Sequence, residues 1–153
     1  MAVRFSSDDP YLTYCFHAEI DGLWVAGFSE VSGLDVETDV ESFREGGLNA
    51  YQHQLPGATS YPTKLVLKRG LADSETLWLW YQDVIKGVID RRNISVILFD
   101  METYDERWRW DFMAACPIKW SGPQFRAATS EIAFESIEIV HKGFLENVTN
   151  IYR

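Results

Sequence analysis

The sequence predicts a mainly β protein, a β-sandwich or partly open β-barrel with one packed α-helix, read as a single domain over residues 1–153. Three observations carry this. Apolar–polar alternation with a period of two recurs along the chain, the mark of half-buried strands. Gly, Pro and Asp-Gly punctuation separates these runs at short intervals. Only residues 73–87 show the three-to-four spacing of an amphipathic helix.

The first alternation covers residues 12–20, with Tyr14, Phe16, Ala18 and Ile20 on one side and Thr13, Cys15, His17 and Glu19 on the other. Asp21-Gly22 follows, a two-residue hairpin signal because both turn positions must tolerate positive φ. Leu23 to Phe28 return as the partner strand. Gly27 and Gly33 bracket Ser29–Ser32, which reads as a bend or bulge. From Asp35 to Arg44 a third strand alternates acidic and neutral residues and ends at Gly46-Gly47.

Residues 48–62 contain Pro56-Gly57 and Pro62 and read as an extended loop with a turn at its tip. Leu48, Tyr51 and Leu55 lie in it without a core pattern of their own, which makes them candidates for contact with another subunit. Thr63–Arg69 is a strand with Leu65 and Leu67 inward.

In the helix, Asp73 or Ser74 is the candidate cap and Glu75 suits the first turn. Leu77, Trp80, Tyr81, Val84, Ile85 and Val88 form its apolar stripe, and Gly87 stops it. Trp78 lies off that stripe and is a further contact candidate. Asn93–Phe99 and Arg107–Ala115 are strands; Trp108, Trp110 and Phe112 share a face of the second. Pro117 interrupts, Ser121-Gly122-Pro123 breaks again, and Glu131–His141 is the last strand before the tail 142–153. About seven or eight strands result.

Composition limits function. A net charge of −9 argues against a domain that grips phosphates, whose footprint is a basic patch. No segment approaches the ~18 apolar residues of a membrane span, and the N-terminus lacks a signal-peptide core; assembly in the cytoplasm is the expectation. Cys15 and Cys116 stand far apart without a Cys-x-x-Cys pair and read as small buried hydrophobes. His17, His53 and His141 are scattered, so no metal site is predicted. With no nucleophile elbow or phosphate-binding glycine motif, neither a catalytic residue nor a cofactor is predicted.

The acidic row Asp35, Glu37, Asp39 and Glu41 repeats every second residue, so neighbours sit roughly 6–7 Å apart on one strand face. Such a row suits a solvated surface. It fits either the wall of a water-filled channel or an outer wall that meets basic residues of another protein.

Several runs taken together resemble the tail tube proteins of contractile phages and extracellular contractile injection systems. They include Phe16–Gly22, Gly27–Leu34, Arg44–Gly47, Leu55–Gly57, Leu67–Leu71, Leu77–Tyr81, Arg91–Val96, Pro117–Pro123 and Glu131–Ile139. The resemblance implies a non-enzymatic structural subunit that forms hexameric rings, whose strands join into a larger channel barrel. The rings stack into an inner tube inside a contractile sheath. Partners implied are the chain itself, sheath protein, baseplate or tube-initiator proteins, and a cargo effector or DNA passing through the lumen without specific nucleic-acid binding. A target membrane is reached only by the assembled injection particle or virion tail. The alternatives are a tube-initiator or baseplate paralogue and, from another class, a monomeric ligand-binding or hydrolytic β-barrel.

Overall fold

The computed structural model describes residues 15–25, 27–47, 49–72 and 75–144. Along the chain run β1 (Phe16–Ile20), β2 (Leu23–Val25), β3 (Phe28–Ser32), β4 (Glu37–Phe43), β5 (His53–Ser60), β6 (Leu65–Gly70), α1 (Thr76–Ile85), β7 (Arg92–Phe99), β8 (Glu106–Ser121) and β9 (Phe134–Val140). Seven strands form one antiparallel sheet in the order β2-β1-β7-β8-β9-β6-β3, and β4 and β5 pair only with each other. Among the described residues the sheet does not close, and β2 and β3 are its edges. Of the two predicted architectures, the partly open one is observed.

The turn joining β1 to β2 has φ of 52° at Asp21 and 75° at Gly22, the mirror-image turn that matches strand twist. β8 is long because it serves both halves of the sheet. Its first half pairs with β7 and its second half with β9. Two bulges bend it between them. In the first, Met113 and Ala114 oppose Asn93, Ala114 takes φ 48°, and its N–H donates to the Asn93 side-chain oxygen at 3.1 Å. The second lies at Ile118, between the pairs Pro117–Ile139 and Lys119–Glu138. Pro117 therefore does not end the strand as expected. It sits buried inside it, beside a bulge where a residue without an N–H is tolerated.

The bent sheet wraps Ile20, Leu65, Leu67, Ile94, Val96, Phe112, Ala115, Ile137 and Ile139, and α1 closes the hollow with Leu77 and Trp80. Trp80 also donates its indole N–H to the Asp90 carbonyl at 2.8 Å, and the Arg92 guanidinium lies over its ring. Cys15 and Cys116 are free and buried, as small hydrophobes should be.

Several expectations are corrected. Ser29–Ser32 is not merely a bend: it belongs to β3, which pairs with β6 across a bulge between Phe28 and Glu30. The loop 48–62 holds the eight-residue strand β5, and Pro56-Gly57 lies inside it rather than at a turn. A two-stranded ribbon has edges on both sides, so Pro56 removes no central ladder bond. The helix is shorter than 73–87; its N-cap is Glu75, without a side-chain capping bond, and the candidate caps Asp73 and Ser74 lie outside the described residues. Ile85 and Val88 leave the stripe and are exposed, because Ile85 is a step around the helix from Val84 and Gly87, at φ 83°, turns the chain away before Val88. Of the tail, Lys142–Phe144 pair beside β8 through Met113 and Phe112; the remainder lies outside the described residues.

Gly33 marks the exit from the sheet into the ribbon. It has φ 91°, and a β-carbon there would stand 1.9 Å from the Lys64 carbonyl oxygen. Only glycine lets the two crossing segments touch.

Truncating the fully enclosed Trp80 to Ala removes a large core side chain and a hydrogen bond, and should cost about 3–5 kcal/mol. Leu79→Ala, on the exposed side of the same helix, should cost no more than about 0.5 kcal/mol. Urea unfolding followed by far-UV circular dichroism checks the pair; similar losses would contradict this seating of the helix.

Candidate assembly surface

Among the described residues, two features are left uncovered by the rest of the subunit. The first is the ribbon. Every β4 residue is exposed, and so is every β5 residue except His53. Isolated two-stranded ribbons are marginal in water, yet this one carries Val40, Phe43, Tyr51 and Leu55 in the open.

Register sorts its side chains. Glu37 opposes Ser60, Glu41 opposes Leu55 and Phe43 opposes His53, so these share a face. Thr38 with Thr59, Val40 with Pro56 and Ser42 with Gln54 form the other. Gly57 and Ala58 together oppose Asp39, a bulge carried by β5 that leaves the alternation of β4 intact. Glu37, Asp39 and Glu41 thus line one side as the spacing predicts. Asp35 does not join them. It precedes β4 and accepts the Thr63 hydroxyl at 2.7 Å, tying the two legs of the ribbon together where they leave the sheet.

A second tie holds the base. Tyr61 follows β5, and its hydroxyl accepts the Phe144 N–H at 3.2 Å. His141 packs edge-on to Tyr61 and against Phe112, and its Nδ1 accepts the Gly143 N–H at 3.1 Å. Partial burial among these rings pushes the His141 pKa below its usual value.

The other feature is the pair of open edges. On β2, Leu23 and Trp24 are 73% and 70% exposed, far more than such side chains need be if the edge ends in solvent. The sheet face near β2 is polar and internally matched. Arg109 bonds Glu106 through two nitrogens at 2.8 and 2.9 Å and reaches Asp111 at 3.3 Å and Glu19 at 3.9 Å. Hydrogen bonding to Glu106 above all holds its guanidinium charged. The Ser95 hydroxyl donates to Asp111.

Beneath α1 lies a charge pair the sequence reading missed. Arg69 donates to Glu135 at 2.5 Å with both side chains essentially enclosed, and the Trp120 indole N–H takes the second Glu135 oxygen at 3.0 Å. The signal was present: alternation turns Arg69 inward behind Leu67, and Glu135 inward before Ile137. Trp78 packs against Trp120, the rings tilted by 53° with centroids 4.7 Å apart. Trp78 remains half-exposed while resting on its own sheet, and Leu79 and Ile85 are the fully open apolar side chains of the helix. Tyr51 stands exposed at the ribbon tip, edge-on to His53 at 5.3 Å, and Leu55 is exposed on β5. Leu48 lies outside the described residues. Among the described residues, no group of three or more His, Cys, Asp or Glu stands together as a metal site.

Bare sheet edges and an uncovered ribbon define a subunit of an assembly, completed by contact with other chains. The chain belongs to the T4-like virus tail tube protein gp19 family, whose model matches residues 12–145. Solved structures share the fold. A chain of the PVC sheath–tube complex, an extracellular contractile injection system in its extended state, aligns with TM-score 0.78 at 22% identity over 91% of this chain and 92% of that one. A chain of the anti-feeding prophage baseplate gives 0.72 at 20% identity, over 90% and 95%. Hcp1 from Flavobacterium johnsoniae gives 0.51 at 14%, over 84% and 90%. A comparison with curated proteins finds no match.

The His141 joint makes stability pH-dependent. Its folded pKa lies below the unfolded value near 6.5, so the unfolded chain binds the extra proton and stability falls as pH drops through and below that value. His141→Asn should flatten the fall in melting temperature between about pH 7 and 5. An unchanged slope would remove His141 as its cause.

Proposed function

We propose that this chain is a subunit of the inner tube of a contractile injection particle. Six copies close into a ring through their sheet edges, and rings stack with the ribbon reaching the neighbouring copy. The observation that carries this is the ribbon itself, two strands with neither face covered among the described residues. Ring closure satisfies the bare edges, while stacking is open-ended and yields a tube. The likeness to chains of a sheath–tube complex and of a baseplate supports sheath and baseplate proteins as partners. The particle assembles in the cytoplasm, and the tube acts as a conduit for effector or DNA rather than as an enzyme.

Electron microscopy of the protein purified with its baseplate tests this. Stacked tubes are the expected result, whereas single rings alone would favour a tube-initiating ring, the reading suggested by the baseplate likeness. Monomers alone would refute both. Replacing residues 37–60 with a short Gly-Ser linker between Val36 and Tyr61 should leave the sheet folded and abolish tubes, since Glu37 and Ser60 already pair at the base. Tubes from this variant, or its unfolding, would contradict the role given to the ribbon.

The acidic row Glu37, Asp39 and Glu41 lines the channel in this proposal. There water screens it over ~8 Å at physiological salt and it keeps acidic cargo from sticking. Changing all three to Lys should preserve tubes and sheath recruitment but alter cargo loading. Normal bare tubes that fail to recruit sheath would place the row outside.

A further inference from the structure

The two faces of the ribbon are chemically unlike, and this decides which can be buried. One carries Glu37, Asp39 and Glu41 together with Phe43, His53, Leu55 and Ser60. The other carries Thr38, Val40, Ser42, Gln54, Pro56 and Thr59 and has no charge at all. We propose that this neutral face is packed against a second copy of the chain while the acidic face stays in water; the proposal rests on the tube reading above.

Three observations support it. Each copy has a net charge of −9, so copies repel, and they meet most cheaply where neither presents net charge. Drying the acidic face would strip three carboxylates of water, a steep penalty for each one left unpaired. Six of the 14 Lys and Arg that could meet them are already paired within the subunit: Lys64 and Lys119 with Glu138, Arg69 with Glu135, Arg92 with Asp90, Arg107 with Asp100, and Arg109 with Glu106. The neutral face loses water at lower cost, because the Thr38 and Thr59 hydroxyls already share a hydrogen bond at 3.0 Å. Val40, 60% exposed, supplies apolar area at its centre.

Thiol labelling on assembled tubes tests the assignment. The native Cys15 and Cys116 are buried, so single variants Val40→Cys, Gln54→Cys, Glu37→Cys and Glu41→Cys each offer one surface thiol. Reaction with a charged maleimide is timed on monomer and on tube. Positions 40 and 54 should slow by about tenfold or more on assembly, while 37 and 41 stay within about twofold. The reverse pattern, protection of both faces, or protection of neither overturns the proposal. A variant that blocks assembly is read by its partner on the same face, and Gln54→Lys should stop tube growth where Glu41→Lys permits it. If the unaltered protein forms no tubes, the tube reading itself fails, a separate outcome from the wrong face being dry.

Discussion

The bend in β8 is the constraint on which the rest of this subunit depends. A sheet of seven straight strands would be a flat slab with two wet faces. One strand with bulges at Met113–Ala114 and at Ile118 turns that slab into a hollow. The hollow needs a lid, and α1 supplies it through Leu77 and Trp80. The bulges carry their own bonds: Asn93 serves Ala114 through its side chain while its N–H takes the Asp21 carboxylate. The turn between β1 and β2 and the corner of β8 are thus held by one asparagine.

Inside the hollow, one polar arrangement is tolerated. Arg69 and Glu135 face each other in register on β6 and β9, and Trp120 completes the carboxylate. Buried ion pairs add little net stability, but an unmatched member is severely costly. The pair therefore penalises a slip of β6 against β9 more sharply than aliphatic packing does. Trp78, resting on Trp120, extends that register to the helix. Outside the hollow the logic reverses: among the described residues, apolar side chains stand exposed on β2 and on the ribbon.

Much of this was legible in the sequence, for identifiable reasons. Period-two alternation exposed the strands that have one dry face, such as β6 and β9, and Asp21-Gly22 announced its own turn. The helix stripe showed Leu77 and Trp80. The ribbon was half legible. Acidic alternation revealed β4, but β5 has no buried face to imprint a pattern, and its Pro-Gly read as a loop. Pro117 misled for a related reason, since a proline inside a bulge looks in sequence like the end of a strand. The packing of Trp78 on Trp120 left no mark in the sequence, because Trp120 lies far along the chain and the bend of β8 brings them together. Asp35 shares the spacing of the acidic row, but the strand begins after it.

Gly33 has a meaning for how such a chain can vary over generations. Most ribbon positions face water within the subunit, so drift there leaves the monomer untouched and is filtered only by whatever the ribbon meets. At Gly33 the filter acts earlier. A single methyl group would collide with the Lys64 carbonyl and pry apart the legs of the ribbon before any second chain is encountered. The reach of the ribbon can therefore be retuned by inheritance along its length and at its tip, but its point of departure from the sheet is a lineage's fixed hinge pin.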